Sequence, residues 1–148
     1  MQLKKMNDWT KKRNHNQNTI WQNCRKLDLI RTPEFNRMSW KFFHKGNVHA
    51  AYKCYIFINQ NKLKKGWSRD RIIKEINKLG IPCFSGSCSE VYLEKAFKKS
   101  NLRPRKRLVS AKELGETSLC FLIHPSITNK EIDLTCKTIN NVAKRATK

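Results

Sequence analysis

The stretch from His49 to Asn59, HAAYKCYIFIN, constrains the fold more than any other part of this chain. Its residues alternate between two sets, which are Tyr52, Cys54, Ile56 and Ile58 on one side and Lys53, Tyr55, Phe57 and Asn59 on the other. Alternation with many β-branched and aromatic residues predicts a β-strand. Because the second set is also partly apolar, we expect the strand at the centre of a sheet and not at its edge.

Two helices after this strand have clear start signals. The first begins at Ser68, a good N-cap residue, has Asp70 in its first turn and ends at Gly80. Its apolar stripe consists of Ile72, Ile73, Ile76 and Leu79. The second begins with the capping-box pattern of Thr128 and Glu131. Its apolar face consists of Ile132, Cys136, Ile139 and Val142. Both stripes have the spacing of a helix that covers a core.

The first 27 residues predict a long N-terminal helix. Its apolar residues Leu3, Met6 and Trp9 recur at three-residue steps, and Thr32-Pro33 ends the segment. The middle, from Lys11 to Thr19, contains no apolar residue. We therefore expect this helix to be mostly exposed, or to pack against a partner outside the chain.

The remaining segments are shorter. We expect a loop at Pro33 to Asn47 that packs partly through Trp40, Phe42 and Phe43. A short strand is expected at Ile81 to Phe84 and a helix at Ser89 to Phe97. After them we expect a basic connector at Arg103 to Arg107, a short helix to Leu114 and a strand at Thr117 to Ile123. Together the elements predict an α+β fold in which a small sheet is covered by layers of helices. The length of 148 residues suits one domain, 1–148, with a long polar helix at 1–30 and an α+β core at 48–148.

The composition predicts a soluble, cytoplasmic protein. The longest apolar runs, Cys54 to Ile58 and Leu119 to Ile123, are far shorter than the ~20 residues of a membrane span. The start, MQLKKMNDWTKKRN, has no apolar stretch after its positive charges, unlike a secretory signal. The six cysteines are therefore expected to be reduced and structural, since the cytosol disfavours disulfides.

The net charge of +21 is large for this length and is compatible with a nucleic-acid partner. Such a protein could use the basic runs Lys4-Lys5, Lys11-Lys12-Arg13 and Arg103–Arg107, with Trp9 and Trp21 as stacking platforms. The charges are, however, spread along a chain rich in Lys, Asn and Ile, and no recognised nucleic-acid module is present. Solvated faces explain the charge better, and a small basic nucleic-acid-binding protein is the alternative function.

Three small motifs have weaker functional interpretations. Cys83 with Cys88, and Cys120 with His124, have spacings that occur in zinc sites, but Cys120 lies in an apolar strand. Cys88, in Ser85-Gly86-Ser87-Cys88-Ser89, could be a nucleophile at a helix N-terminus, although no histidine is fixed beside it. The same stretch could hold a phosphate but lacks the glycines and the lysine of a P-loop. We assign no metal ligand from these motifs.

Five blocks of the chain occur in an order that matches a known family. They are QLKKMNDWTKKRN, HAAYKCYIFI, RDRIIKEINKLGIP, CFSGSCSEVYLEKAF and ELGETSLCFLIHPSIT. In these blocks the chain resembles the C-terminal part of DegT/DnrJ/StrS-type sugar aminotransferases, which use pyridoxal phosphate (PLP), and from Trp67 onward the similarity is close. The resemblance implies the small C-terminal domain of a fold-type I PLP-dependent transferase.

The resemblance also implies where the chemistry of such an enzyme lies. In the family a lysine binds PLP as a Schiff base and an acidic residue pairs with the pyridinium nitrogen, both in the large N-terminal domain. Ser110-Ala111-Lys112 is only superficially similar to the lysine motif, so no catalytic or cofactor-binding residue carries over. His49 and Tyr52 match the start of a strand near the family's nucleotide-sugar site, although Ala51 stands where an aromatic residue is frequent. His124 is expected to support the fold.

The resemblance therefore predicts a fragment or remnant of a nucleotide-sugar aminotransferase of polysaccharide or deoxysugar biosynthesis that is inactive alone. PLP belongs to the intact family, and no cofactor is expected for this chain by itself. Family members form homodimers, and a separately encoded N-terminal half would dock on the helix that carries Trp9 and Trp21. No membrane partner is expected, whereas non-specific binding of nucleic acid could follow from the charge.

Overall fold

The computed structural model describes residues 2–33, 49–98 and 102–148. Its helices and strands are α1 (Gln2–Cys24), β1 (Ile30–Arg31), β2 (Cys54–Ile58), α2 (Arg69–Lys78), β3 (Cys83–Phe84), α3 (Val109–Thr117), β4 (Ser118–Phe121) and α4 (Asn129–Ala146). Short 3-10 turns lie at Gln60–Lys62, Val91–Leu93 and Lys95–Phe97. The predicted α+β fold is confirmed. The loop predicted at Pro33 to Asn47, with its three aromatic residues, lies outside the described residues apart from Pro33.

The four strands form one antiparallel sheet in the order β1-β2-β4-β3. Strand β2 is central, as predicted, but it covers only Cys54–Ile58 of the stretch predicted from His49 to Asn59, because the chain leaves the extended conformation at Ala51, which has φ +46°. The strand buries one set of side chains completely and the other set partly. Phe121 of β4 pairs with Cys54 of β2 on one side and with Cys83 of β3 on the other. Because β4 is buried along its whole length, this strand forms the middle of the core.

Both predicted helix starts are confirmed. The Ser68 hydroxyl caps α2 by accepting a hydrogen bond from the Arg71 N–H at 3.2 Å. Gly80, after the end of this helix, has φ +81°, a left-handed conformation that glycine adopts without strain. At α4 the Thr128 N–H donates to the Glu131 carboxylate at 2.7 Å, and the Glu131 N–H donates back to the Thr128 hydroxyl at 3.3 Å. These local signals fix where the two covering helices begin.

The expectation that α1 is mostly exposed is wrong for its second half. Asn16 and Gln17, in the supposedly solvated middle, are 0% and 2% exposed. They share a face with Ile20, Trp21 and Cys24, and this face packs on β2 and α4. The helix also ends at Cys24 instead of continuing to residue 27. Tertiary packing therefore overrides the polar composition of the segment.

Two further predictions need correction. The helix predicted at Ser89 to Phe97 is replaced by two 3-10 turns, because its clustered apolar residues form no single stripe. The strand β1 was not predicted, since two residues give no detectable alternation. It is held by pairing of Ile30 with Ile58 and of Arg31 with Phe57.

All six cysteines are free, and five of them are buried. Burial in apolar surroundings raises the pKa of the Cys24 and Cys83 thiols to about 12. Such thiols act as small apolar groups, which confirms the structural role predicted for Cys54, Cys120 and Cys136. Among the described helices, none combines the length and the apolar character that crossing a membrane requires.

Candidate functional site

A cavity of about 530 Å³ lies beside the start of β2. The described residues that line it are Gln17, Trp21, Pro33, His49, Tyr52, Lys53, Tyr55 and Ser87. The structure thus brings the two predicted site residues, His49 and Tyr52, to one cavity. Its wall combines aromatic rings with a cation, hydroxyl groups and an amide, the mixture that small-molecule sites use for packing and for orientation.

Helix α1 holds the segment that leads into β2. The Asn14 amide donates to the His49 carbonyl oxygen at 2.7 Å, and the Arg13 guanidinium donates to the Ala50 carbonyl oxygen at 2.8 Å. Ala51 is fully buried and has φ +46°, a left-handed conformation that costs a non-glycine residue about 1–3 kcal/mol. This buried, left-handed position favours a small side chain.

The backbone at Ala51 contacts the His49 ring, and Tyr52 follows it at the cavity. The Ala51 N–H donates to His49 Nδ1 at 3.2 Å, so Nδ1 is an acceptor in this arrangement. Tyr52 is 80% exposed at the cavity mouth, so its ring and hydroxyl are accessible to a ligand. Both residues therefore lie where a molecule in the cavity would contact them.

A lysine and two hydroxyl groups converge on another part of the wall. The Tyr55 and Ser87 hydroxyl oxygens lie 3.1 Å apart, and the Ser87 N–H donates to the Tyr55 oxygen at 3.2 Å. The Lys53 ammonium lies 3.5 Å from the Ser87 hydroxyl oxygen. An ammonium group beside hydroxyl donors suits a phosphate or another anion. Sequence reasoning missed Lys53 and Tyr55, although it singled out the stretch that contains Ser87 as able to hold a phosphate.

Gln17 was missed as well. A signal for it exists in the sequence, because Gln17 precedes Trp21 by one helical turn and Cys24 by about two. Together with Asn16 and Ile20 these residues form the i, i+1, i+4, i+5, i+8 stripe of one helix face. Two polar members conceal that stripe in a search for apolar residues alone.

A second cavity, of about 390 Å³, lies between the 3-10 turns and α3 and includes Cys88. The Cys88 thiol is exposed and donates to the Glu94 carboxylate at 3.5 Å. No histidine occurs among the described residues that line this cavity, and the helix predicted to begin near Ser89 is absent. The proposed nucleophilic role of Cys88 therefore has neither a base nor a helix N-terminus beside it.

An ion pair between a half-exposed guanidinium and a largely covered carboxylate forms one wall of this second cavity. The Arg107 guanidinium donates to both oxygens of Glu90, at 2.6 and 2.5 Å, and the Tyr92 hydroxyl donates to the same carboxylate at 2.6 Å. The Tyr92 oxygen in turn accepts from the Leu108 N–H at 3.0 Å. This network joins the 3-10 turns to the start of α3.

We expect Glu90→Gln to make the domain less stable at neutral pH but not in strong acid. Hydrogen bonds from Arg107 and Tyr92 lower the pKa of Glu90 to about 2. A lowered pKa contributes stability that is present above the ordinary value of 4.5 and is lost as the pH falls towards 2. Urea denaturation between pH 7 and pH 2 should therefore show a difference between wild type and variant that shrinks with acidity.

The control for this variant is Glu94→Gln. Glu94 belongs to the same segment and forms no ion pair within the described residues. A difference for Glu90→Gln that stays constant from pH 7 to pH 2, or that Glu94→Gln reproduces, would contradict the role of the ionised carboxylate.

The predicted zinc spacings do not form a site. Within residues 2–33, 49–98 and 102–148 no group of three metal-binding side chains comes together. Cys83 and Cys120 are instead buried in the sheet. His124 lies in the turn before α4, where its Nδ1 is 2.7 Å from the Ser126 hydroxyl oxygen. That contact orders the turn, which is the supporting role expected for this histidine.

The described residues do not fit PLP. The cofactor needs a lysine amine and a carboxylate in one cavity. The cavity beside β2 has Lys53 but no acidic residue, the second cavity has glutamates but no lysine, and a third, beside Ile81 and Leu134, has Glu131 but no lysine. Lys112, in the superficially similar motif, is exposed on α3 and lies 3.9 Å from Glu116.

Several residues suggested for nucleic-acid binding are instead engaged in contacts within the chain. Trp21 is 6% exposed, and its indole N–H donates to the Tyr55 carbonyl oxygen at 3.0 Å, so its role as a stacking platform is wrong. In the basic connector Arg103 donates to two backbone carbonyl oxygens, and Arg107 binds Glu90. Because Trp21 is buried, it cannot belong to the docking surface predicted on α1. Trp9, the other tryptophan of that predicted surface, is 36% exposed.

Comparison with known proteins identifies relatives. The profile of the DegT/DnrJ/EryC1/StrS aminotransferase family matches residues 1–140. The chain is similar to an aminotransferase from Psychrobacter cryohalolentis, with 50% identity and a TM-score of 0.90. The similarity covers 98% of this chain and 37% of that one. No curated protein sequence matches the chain.

More distant structures share the fold alone. The aminotransferase TlmJ from Streptoalloteichus hindustanus has 14% identity and a TM-score of 0.76, over 97% of this chain and 34% of its own. Helicobacter pylori PseC, an aminotransferase involved in the biosynthesis of pseudoaminic acid, has 14% identity and a TM-score of 0.76, over 97% and 35%. The chain thus spans little more than a third of the length of these proteins.

Proposed function

The chain belongs to the DegT/DnrJ/EryC1/StrS aminotransferase family, and from this membership we propose that residues 1–148 form the small C-terminal domain of a PLP-dependent nucleotide-sugar aminotransferase. In this proposal α1 is the long helix of region 1–30 and the sheet belongs to the core of region 48–148. The observation that carries the proposal is the similarity to the Psychrobacter aminotransferase over 98% of this chain but 37% of that one. The product would enter polysaccharide or deoxysugar biosynthesis.

The cavity beside β2 is the part of the substrate site that this domain contributes. His49 and Tyr52 would bind and orient the nucleotide sugar, because both line the cavity and Tyr52 is exposed there. Lys53, with the Tyr55 and Ser87 hydroxyl groups, would bind a phosphate. These residues bind and position the substrate, while the amino-group transfer belongs to the PLP-bearing large domain.

The chain by itself would not transaminate. What supports this is that none of the cavities beside β2, beside Cys88 and beside Ile81 has both a lysine and a carboxylate among its described lining residues. The location proposed for the chain is the cytoplasm, as its composition predicts.

A large domain, on the same or a separate chain, would dock on the first half of α1. The apolar stripe there consists of Leu3, Met6 and Trp9, which are 81%, 51% and 36% exposed. Such a stripe on an otherwise polar helix is typical of a surface covered by another protein domain. In a homodimer this contact would recur in both copies.

A domain exchange tests the proposal. In the chimera this chain replaces the matching 37% of the Psychrobacter aminotransferase. We expect the chimera, with PLP, to transfer an amino group from glutamate to a keto-sugar nucleotide that the parent enzyme accepts, and we expect the isolated chain to transfer none. Formation of 2-oxoglutarate measures both reactions.

Two results would overturn the proposal. One is transamination by the isolated chain with PLP, and the other is a folded, PLP-bound chimera that transfers no amino group. The variants His49→Ala and Tyr52→Ala, made in the chimera, should raise KM for the sugar nucleotide. The half-buried Phe57, two residues from Tyr55 on the same strand, provides the control Phe57→Leu, since it is not among the residues that line the cavity.

A further inference from the structure

The fold gathers cations from two distant parts of the sequence onto one surface. The loop after β2 lies beside the end of α4, because the Lys64 N–H donates to the Ala146 carbonyl oxygen at 2.8 Å. The Lys148 N–H likewise donates to the Lys62 carbonyl oxygen at 3.0 Å. We call this region the Trp67 surface, and its exposed cations are Lys62, Lys64, Lys65, Arg71 and Lys148.

The arginine of this surface is held in place by its neighbours. The guanidinium carbon of Arg71 lies 4.4 Å from the centre of the Trp67 ring, within the range of a cation–π contact. Its Nη1 also donates to the Gly66 carbonyl oxygen at 2.8 Å. Neither contact neutralises the charge. The structure thus fixes an exposed guanidinium without placing an anion beside it.

The other cations of the surface are unpaired as well. Within residues 2–33, 49–98 and 102–148 none of the five forms an ion pair. The nearby carboxylates have other partners, since Asp70 lies 2.6 Å from Arg69, and Glu75 binds Lys78 and Arg145. Like charges that the fold holds together repel one another, and a bound polyanion relieves this repulsion.

The chemistry of the surface indicates which polyanion fits. No exposed large apolar side chain belongs to the described residues 60–78 or 135–148, whereas the centre of a protein interface is normally apolar. A row of phosphates needs only cations and hydrogen-bond donors. Single strands also stack their bases on free aromatic rings. Here Trp67 is half-buried and contacted by two guanidinium groups, of Arg71 and Arg145, which favours a duplex.

We propose that the Trp67 surface binds the phosphate backbone of double-stranded nucleic acid. The fixed guanidinium of Arg71 binds one phosphate, and Lys62, Lys64, Lys65 and Lys148 bind its neighbours. Phosphate contacts carry no sequence information, so this binding does not depend on base sequence. The surface is distinct from the basic runs of α1, and its role is separate from the transfer of amino groups.

The test measures binding of the chain to a short DNA duplex by fluorescence anisotropy at several salt concentrations. The variant Lys62→Gln/Lys64→Gln/Lys65→Gln should lower the slope of log affinity against log salt by about 2–3, close to one for each lost phosphate contact. The matched control removes the same charge from α1, where the exposed residues are Lys4, Lys5 and Lys11. Their replacement by glutamine should leave the slope nearly unchanged.

Arg71 variants separate charge from structure. Arg71→Gln should lower the salt slope by about 1, as expected for one phosphate contact. Arg71→Lys loses the planar contact with Trp67 but keeps the charge, so it should retain the slope even where Tm falls. If Arg71→Lys and Arg71→Gln lower the slope equally, the arginine supports the fold and binds no phosphate.

Four results would overturn the proposal. The first is an equal or larger loss of slope for the α1 control, which would show indiscriminate attraction or binding at the runs considered from the sequence. The second is binding of polyglutamate as tight as that of the duplex, which would indicate an acidic protein partner. The third is tighter binding of the corresponding single strand, and the fourth is no binding of the duplex to the wild-type chain.

Discussion

Phe121→Ala is expected to destabilise the domain by about 3–5 kcal/mol, as typical for removal of a fully buried aromatic ring. Phe121 is 1% exposed and lies in β4, between the two neighbouring strands that carry Cys54 and Cys83. Loss of the ring leaves a cavity at the centre of the sheet. Since small domains have a total stability of about 5–15 kcal/mol, this single change removes a large part of it.

Urea denaturation measures the loss, and Phe84→Ala is the matched control. Phe84 is also a phenylalanine of the sheet, one strand away, but it is 51% exposed, so its truncation should cost much less. Phe121→Leu keeps most of the buried volume and should cost about 1 kcal/mol, which gives a measurable variant if Phe121→Ala does not fold. Equal losses for Phe121→Ala and Phe84→Ala would contradict the central position of β4 in the core.

The elements that could be predicted are those with local signals. The hydroxyl cap of Ser68, the left-handed Gly80 and the capping box of Thr128 and Glu131 each act within a few residues, so the sequence contains the whole interaction. The strand β2 was predictable for a similar reason, because its alternation extends over its length. In these cases local preference and tertiary packing agree.

The elements that could not be predicted depend on distant residues. Strand β1 exists because Ile30 and Arg31 pair with the end of β2, and the Arg31 guanidinium also lies 4.9 Å from the centre of the Phe57 ring. The burial of Asn16 in α1 depends on α4, since its amide donates to the His124 carbonyl oxygen just before that helix. Composition predicts solvent exposure for such a residue, and only the packed fold reverses it.

The candidate site also contains residues that could be predicted from the sequence and residues that could not. His49 and Tyr52 were predicted through family resemblance, and the structure places both at the cavity beside β2. Lys53 and Tyr55 are adjacent in the same strand, but their functional interpretation needs Ser87, which is 32 residues from Tyr55 and reaches it through the turn after β3. No sequence pattern links residues at that separation without the order of the strands.

Gly86→Ala should destabilise the domain by about 2–5 kcal/mol and disturb the cavity at the same time. Gly86 has φ +91°, which costs a residue with a side chain about 1–2 kcal/mol. An added Cβ would also lie 2.5 Å from Cε1 of the Tyr55 ring, so the ring or the turn must move. Either movement breaks the contact between the Tyr55 and Ser87 hydroxyl groups, and phosphate binding should weaken with it.

Gly80→Ala separates the backbone strain from the steric clash with the Tyr55 ring. Gly80 has φ +81°, nearly the same backbone conformation, but an added Cβ there meets no atom within 4 Å, so this variant should show the backbone strain alone. A double-mutant cycle completes the test, because Gly86→Ala in a Tyr55→Ala background should cost no more than Gly80→Ala does. If Gly86→Ala is as mild as Gly80→Ala in the wild-type background, the Tyr55 ring does not restrain the turn. In that case the backbone of the turn, and not the tyrosine, would position Ser87 in the cavity wall.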